Sequence, residues 1–448
     1  MTHRRLMLCA LAVIMASCSG YQEPLPRRDR INFPVGAALH PNARYLYVVN
    51  SNFDTTYDED LGGTIAVIDT DTLEVLGGGS PFIPSFGGDI ELSEGATRAY
   101  VAARRGNTVV ALDVAPSGSA IGCGEEASGS WSLRSDTTDC LIRSLGADGD
   151  EIIPADPFGV DVVRVERGGA SFDLVTTSHL RGDRVATMSL PASDVPITLG
   201  GSVPSADGAL SAVAAIGSAT LASAPLIEGS NAITRRPGTL EMYAAGKNTN
   251  SLGIFVPFVN DLGEAEAIVR RGYIALNNLS SVVDARAVAF DQAGERMFVV
   301  TRRPDALHIF RLVPADPETG AGVDHKLERV VPLGDQPADV LLHRSPSGRE
   351  LLYVTCYDSQ SIQVIDPNTG VLVDEIELDS QPYKLVIDPS DVRCRFSGDR
   401  CRAYVTLFAD SKDASQRCDD TEDGCGAVGV IDLDPSSDRY HQIIAKVR

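Results

Sequence analysis

Four short β-rich runs, joined by turn residues in a fixed order, recur along this chain. The clearest copy opens with Gln336-Pro337-Ala338-Asp339-Val340-Leu341-Leu342 and turns at Ser345-Pro346-Ser347-Gly348. It continues through Leu352-Tyr353-Val354-Thr355 and Ser361-Ile362-Gln363-Val364-Ile365-Asp366, turns at Asn368-Thr369-Gly370 and ends on Val371 to Leu378. The same order runs from Phe33 to Leu76, with the turn His40-Pro41-Asn42 and the runs Tyr45 to Asn50, Thr64 to Asp69 and Thr72 to Leu76. Short β-branched and aromatic runs bounded by Gly, Pro, Asn and Ser read as the strands of an antiparallel meander. One such sheet cannot cover both of its faces. Repeated sheets must therefore stack face to face, and closing the stack into a ring leaves only short edges.

Each second run carries a related signature: Tyr47-Val48-Val49-Asn50, Tyr100-Val101-Ala102, Phe298-Val299-Val300-Thr301, Tyr353-Val354-Thr355 and Tyr404-Val405-Thr406. Strands of the type Ile-x-Val-Ile-Asp follow, and through these residues the chain resembles the YVTN family of β-propeller repeats. The resemblance implies an all-β, seven-bladed β-propeller of four-stranded antiparallel blades, with inner strands starting near residues 34, 86, 157, 209, 284, 337 and 382. The third unit is read from Val160 to Val165, Asp173 to Thr177 and Arg184 to Met188. The fourth is read from Leu210 to Ala215, Leu240 to Ala244 and Ser251 to Phe255. Dividing those two units differently gives six or eight blades. Insertions are expected near 117–150 and 411–426, the first containing Trp131, so the repeat is not built on a tryptophan-aspartate signature.

The first residues belong to targeting. Arg4 and Arg5 precede the apolar run Leu6 to Met15, and Met15-Ala16-Ser17-Cys18 is a small-residue cleavage site ending on cysteine. This resembles a bacterial lipoprotein signal, which implies a signal peptide at 1–17, lipid on Cys18, a tether over 18–30 and one propeller domain over 31–448. Ser19 fits sorting to the outer membrane by the same resemblance. An ordinary cleaved signal peptide is the alternative, whereas a membrane-spanning helix needs roughly 20 apolar residues.

Seven cysteines remain in the body. Cys123 with Cys140, Cys394 with Cys401 and Cys418 with Cys425 each bracket a polar loop, which suits three local disulfides in an oxidising compartment and leaves Cys356 alone. A metal site from Cys394, Cys401, Cys418 and Cys425 competes with that pairing, but no CxxC knuckle supports it.

With 39 basic against 61 acidic residues the chain carries a formal charge of -22, a field that repels phosphate backbones, so nucleic acid is not expected as a partner. No HExxH, GxSxG, CxxCH or Walker loop occurs. Two acidic loops, Asp54 to Asp60 and Asp419 to Gly424, are candidates for calcium: Asp419, Thr421 and Asp423 follow a calcium-loop order, but Val430 stands where the closing Glu belongs. No other cofactor is expected.

Propeller geometry nominates a face. Two residues past the strand starts stand Gly36, Gly159, Arg286, Asp339 and Lys384, the last three carrying alternating charge on consecutive blades. They read either as a polar funnel for a small anionic or zwitterionic ligand or as salt bridges around a water-filled channel. The turns after the second strands add Asn52, Arg104, Arg105, His179, Arg181, Lys247, Arg302, Arg303 and Asp358, where an anionic glycan or acidic protein patch could dock, or where solvated turns balance nearby carboxylates. The expectation is a monomeric, lipid-anchored envelope protein that binds a protein or polymer without catalysis. The alternative is a propeller enzyme of the lactonase or quinone-dependent dehydrogenase-subunit type, with a metal or cofactor in the funnel.

Overall fold

The structure is a computed structural model that describes residues 25–52, 61–127, 130–142, 153–192, 214–215, 229–261, 265–277, 282–315, 322–345, 348–387, 401–410 and 425–448. It is an all-β ring of seven antiparallel blades, and the described residues contain no α-helix, only two 3-10 turns at Gly77–Gly79 and Thr138–Cys140. From the inside outwards, blade 1 runs Pro34–Leu39, Tyr45–Asn50, Gly63–Asp69 and Glu74–Val75, with Phe82–Ile83 added to its third strand. Blade 2 runs Gly87–Leu92, Arg98–Ala103, Thr108–Val114 and Ile121–Ala127, extended by Ser130–Arg134. Blade 3 is Pro157–Arg167, Ala170–His179, Ala186–Pro191 and Ala214–Ala215. Blade 4 is Ser230–Arg235, Met242–Gly246, Ser251–Val259 and Ala265–Ala275. Blade 5 comprises Ala285–Phe290, Arg296–Arg302, Asp305–Pro314 and Val323–Pro332, and blade 6 Pro337–Arg344, Glu350–Cys356, Ser361–Ile365 and Leu372–Glu377. Blade 7 closes with Pro382–Ile387, Arg402–Leu407, Ala427–Asp432 and Ile443–Val447. Each inner strand touches the next, and the seventh touches the first.

The second strands are buried along most of their length because both of their faces are covered. Along Tyr45–Asn50 every residue is buried, with Leu46 and Val48 packed toward blade 7 and Tyr47 and Val49 toward blade 2. Period-two alternation thus divides one strand between two interfaces.

The recurring tyrosine has a specific task. Tyr47 donates from its hydroxyl to the Gly118 carbonyl at 2.7 Å, and Tyr100 bonds Asp173 Oδ2 at 2.9 Å. Tyr243 meets His325 Nε2 at 2.9 Å, and Tyr353 meets His441 Nε2 at 3.0 Å. In all four cases the ring fills the gap between blades and the hydroxyl pins the following blade, so a polar handle survives burial because it has a partner. The Ile-Asp pair ending the third strands has its own cause. Asp69 Oδ1 accepts the amides of Asp71 and Thr72, and Asp366 Oδ1 those of Asn368 and Thr369, folding the next turn.

The fourth blade corrects the expected start near 209. Ala214–Ala215 is instead the outermost strand of blade 3, paired through Ala186↔Ala215 and Thr187↔Ala214, and the inner strand of blade 4 is Ser230–Arg235. An inner strand faces the lumen on one side, so polar residues such as Asn231 and Arg235 are tolerated there and hide it from a hydrophobicity pattern. Within the expected insertion 117–150, Ile121–Ala127 supplies the fourth strand of blade 2. Cys123 and Cys140 form a disulfide as paired from the sequence, Cys401 and Cys425 each take part in a disulfide, and Cys356 is a buried free thiol. Cys394, Cys418 and Cys18 lie outside the described residues, as do Asp419, Thr421 and Asp423.

Candidate functional site: the mouth of the central channel

Every inner strand starts in the same way. A β-bulge shifts its register against the second strand, between Pro34 and Gly36, Gly87 and Ile90, Pro157 and Val160, Ser230 and Ala232, Ala285 and Ala287, Pro337 and Asp339, and Pro382 and Leu385. The residue leading into the bulge adopts positive φ in six blades: Phe33, Phe86, Asp156, Gly229, Asp284 and Gln336. Its carbonyl accepts a backbone amide from the turn after the second strand, and these donors are Ser51, Arg104, Leu180, Lys247, Arg302, Tyr357 and, through Gln381, Phe408. Bulges that re-aim side chains are common at barrel rims and active sites. Here the bulge and its hydrogen bond repeat seven times and define three stacked rings of equivalent positions.

The Thr or Ser of the second strand completes the device. Thr355 Oγ1 accepts the Asp339 amide at 2.9 Å, Thr406 Oγ1 the Lys384 amide at 2.8 Å, and Ser178 Oγ the Gly159 amide at 3.1 Å. The hydroxyl satisfies a buried amide that the bulge removes from the ladder.

The outer ring, the donors named above, surrounds a cavity of about 250 Å³ to which all but Ser51 contribute. The second ring, one residue past each strand start, adds Val35, Phe158, Asn231, Arg286 and Tyr383 to its wall. The mouth is therefore two-sided. Blades 6 and 7 present Tyr357, Tyr383 and Phe408, whose ring centroids lie 6.1–6.5 Å apart, with Phe33 at 5.2 Å from Phe408. Blades 2, 4 and 5 present Arg104, Lys247, Arg286 and Arg302.

These cations differ in how they are held. Arg104 pairs with Asp156. Arg286 lies between Asp284, at 2.7 Å from Oδ1 and 2.9 Å from Oδ2, and Asn231. Arg302 donates from Nε to the Pro337 carbonyl at 2.9 Å, and among the described residues its two amino nitrogens hold no hydrogen bond. Burial and the adjacent Arg286 cation lower its pKa, an effect that the nearby Asp284 and Asp358 carboxylates oppose. The Lys247 ammonium is exposed and has no described partner.

The floor is the third ring. Lys384 Nζ lies 3.0 Å from Asp89 Oδ2, Asp339 Oδ2 accepts the Leu385 amide at 3.0 Å, and the space left between them is about 30 Å³, the room of a water or two. Gly36 and Gly159 stand in the same ring because neighbouring strands come too close for a side chain: a Cβ on Gly36 would sit 2.4 Å from the Gly88 carbonyl, and one on Gly159 3.1 Å from Ala232 Cα. Beyond the floor a chamber of about 380 Å³ follows the inner strands to their other ends, lined by Glu91, Asp161 and Arg235. Glu91 faces the lumen; its depth in the channel and the nearby Asp161 and Asp89 push its carboxyl up to about 8.

The sequence-nominated residues thus separate. Arg104, Arg286 and Arg302 line the mouth, while Asp339 and Lys384 form its floor. Arg105 and Arg303 are exposed, one position beyond the ring residues and outside the cavity. His179 is fully enclosed one position before Leu180, bonded to Thr177 Oγ1 at 3.1 Å and to the Ala155 carbonyl at 3.3 Å, so it cannot meet a ligand in this fold. Asp89 and the aromatic wall were missed. The start of blade 2 was placed one residue early, which put Gly88 where Asp89 belongs, and the aromatics carry no charge to draw attention. Among the described residues no group of three or more His, Cys, Asp or Glu could hold a metal ion.

No protein-family model matches the chain, and no curated protein does. Solved structures share the fold. A periplasmic gluconolactonase of Pseudomonas aeruginosa is 17% identical over 77% of this chain and 85% of its own, with a TM-score of 0.51. A candidate 6-phosphogluconolactonase of Bacteroides uniformis is 16% identical over 77% and 85%, with a TM-score of 0.50. A β-propeller domain of Myceliophteria thermophila is 11% identical over 81% and 92%, also at 0.50. At these identities the likeness is one of fold alone.

Proposed function

We propose that this chain is a binding protein of the bacterial envelope, held by lipid on Cys18, that engages an anionic protein or polymer at the mouth of its channel without catalysing a reaction on it. The observation that carries this reading is a local inversion of charge. On a chain of formal charge -22, four cations converge on one cavity whose described lining holds a single acid, Asp358. Guanidiniums held by carboxylates and carbonyls are pre-organised, which lowers the ordering cost of binding. Asymmetry of this kind gives specificity and on-rate, because the surrounding acidic surface rejects anions elsewhere.

Crosslinking and affinity capture from native envelopes test the reading. The full chain is expected to retain a reproducible anionic partner that Arg302→Gln releases and that elevated salt weakens. Capture unaffected by Arg302→Gln would remove the mouth from the interaction. Turnover of a lactone or of a dye-linked dehydrogenase substrate, abolished by the same substitution, would replace binding by catalysis. Cys18→Ala is expected to move the protein from the membrane fraction to the soluble one.

A further inference from the structure

We infer that the mouth receives the terminal residue of an acidic glycan, a pyranose ring carrying one carboxylate; this rests on the binding reading above and names its ligand. Three features converge on that chemistry. The first is that the cavity is blind. The Lys384 and Asp89 pair and the close strands at Gly36 leave about 30 Å³ at the floor, so a sugar ring that enters from the mouth stops there. A cavity of about 250 Å³ is below the roughly 300–1,000 Å³ that holds a drug-sized ligand, and suits one ring at a chain end rather than the middle of a polymer.

The second feature is the division of the walls. Tyr357, Tyr383 and Phe408 offer ring faces and edges to the apolar C–H surface of a pyranose. Beside them Arg302, tied to blade 6 through the Pro337 carbonyl, presents two amino nitrogens that hold no hydrogen bond among the described residues, a planar fork that matches a carboxylate. Asn231 and Gln336 also line the cavity, supplying both donors and acceptors, which hydroxyl groups require and a bare anion does not.

The third feature is the charge balance. Arg104 and Arg286 are already paired with Asp156 and Asp284, leaving Lys247 and Arg302 against Asp358. One uncompensated positive charge matches a carboxylate and not a phosphate monoester, which carries about -1.5 to -2 near neutral pH.

Calorimetric titration of the full chain with glucuronate, glucose, benzoate and glucose 6-phosphate tests the inference. Glucuronate is expected to bind at least tenfold tighter than each of the other three. Arg302→Gln and Tyr383→Ala should each weaken it at least tenfold, and Lys247→Gln, at an exposed residue whose replacement leaves the fold intact, at least threefold. Glucuronate binding no better than glucose, or binding insensitive to Arg302→Gln and Lys247→Gln together, overturns the assignment. So does a preference for glucose 6-phosphate. An oligosaccharide with a terminal uronate should compete as well as the monosaccharide, whereas one with only internal uronates should not; equal competition overturns the end-binding geometry. If glucuronate fails but an anionic envelope partner is still lost from Arg302→Gln, the sugar assignment falls and the binding reading stands. If neither responds to Arg302→Gln, both fall.

Discussion

Lys384 of the seventh blade places Nζ 3.0 Å from Oδ2 of Asp89 in the second, reaching past the first blade, whose equivalent position is Gly36. The bridge sets the depth of the mouth, and it fastens the last blade to the second with no backbone continuity between them. Although the site is half-buried, the Asp339 and Asp89 carboxylates hold the ammonium protonated well above its ordinary range. Removing the cation would leave these acids facing one another. Lys384→Met is expected to destabilise the ring by about 2–4 kcal/mol, below the 3–5 typical of a broken dry pair because lumen water reaches both groups. Denaturant unfolding of Lys384→Met, Asp89→Asn and the double variant checks this: the double variant should cost less than the sum, and strict additivity would mean that the two groups do not interact.

The tyrosines that pin one blade to the next make a second expectation. Tyr353→Phe keeps the ring between blades 6 and 7 but leaves His441 Nε2 without its 3.0 Å partner, while Asp374 still holds the opposite nitrogen at 2.6 Å. A buried group so orphaned costs about 1–3 kcal/mol. Equilibrium unfolding should show that loss for Tyr353→Phe and a similar one for Tyr100→Phe, which strips a bond from the fully buried Asp173. Parent-like stability in both would show that packing alone joins the blades.

The disulfide between Cys123 and Cys140 closes a loop of sequence separation 17 and ties the fourth strand of blade 2 to the segment returning to its third strand. By chain entropy such a loop is worth about 3 kcal/mol. The Cys123→Ala/Cys140→Ala variant should therefore unfold at lower denaturant concentration in oxidising buffer, while reductant should lower the parent more than the variant. An unchanged midpoint would mean that the native packing already fixes the loop.

Buried His179 makes stability depend on pH. Burial lowers its pKa from 6.5 to about 4, so the unfolded chain takes up a proton below pH 6.5 that the folded chain refuses until near pH 4. Stability from this group is complete above pH 6.5 and falls as pH drops through that window. Asp113 and Asp161, whose carboxyls burial raises to about 6, act with the opposite sign, so the histidine is isolated only by comparison with a variant. Between pH 7 and 4.5 the parent should lose about 2–3 kcal/mol relative to His179→Gln. Parallel pH profiles for the two proteins would show that the imidazole is not held neutral.

The sequence by itself determined the ring and the chemistry of its joints. Tyr-Val-Thr recurs because the phenol fills the gap between blades, the valine continues a strand buried on both faces, and the hydroxyl meets the amide freed by the bulge. Ile-Asp recurs because the carboxylate folds the next turn. These are local demands that recur from blade to blade, so they are written as local motifs. Blade 4 escaped because its inner strand borders the lumen and need not be apolar on that side. The mouth was legible only in part: Arg104, Arg286 and Arg302 stood out as cations at turns and strand starts, but His179 and Leu180 differ by one position, and that step moves a side chain from the core to the rim. What tertiary structure alone decided is which residues share a ring. A one-residue offset in a bulge changes the direction of every side chain near it, and Lys384 and Asp89, which make the floor, are brought within 3.0 Å only by closure of the whole circle.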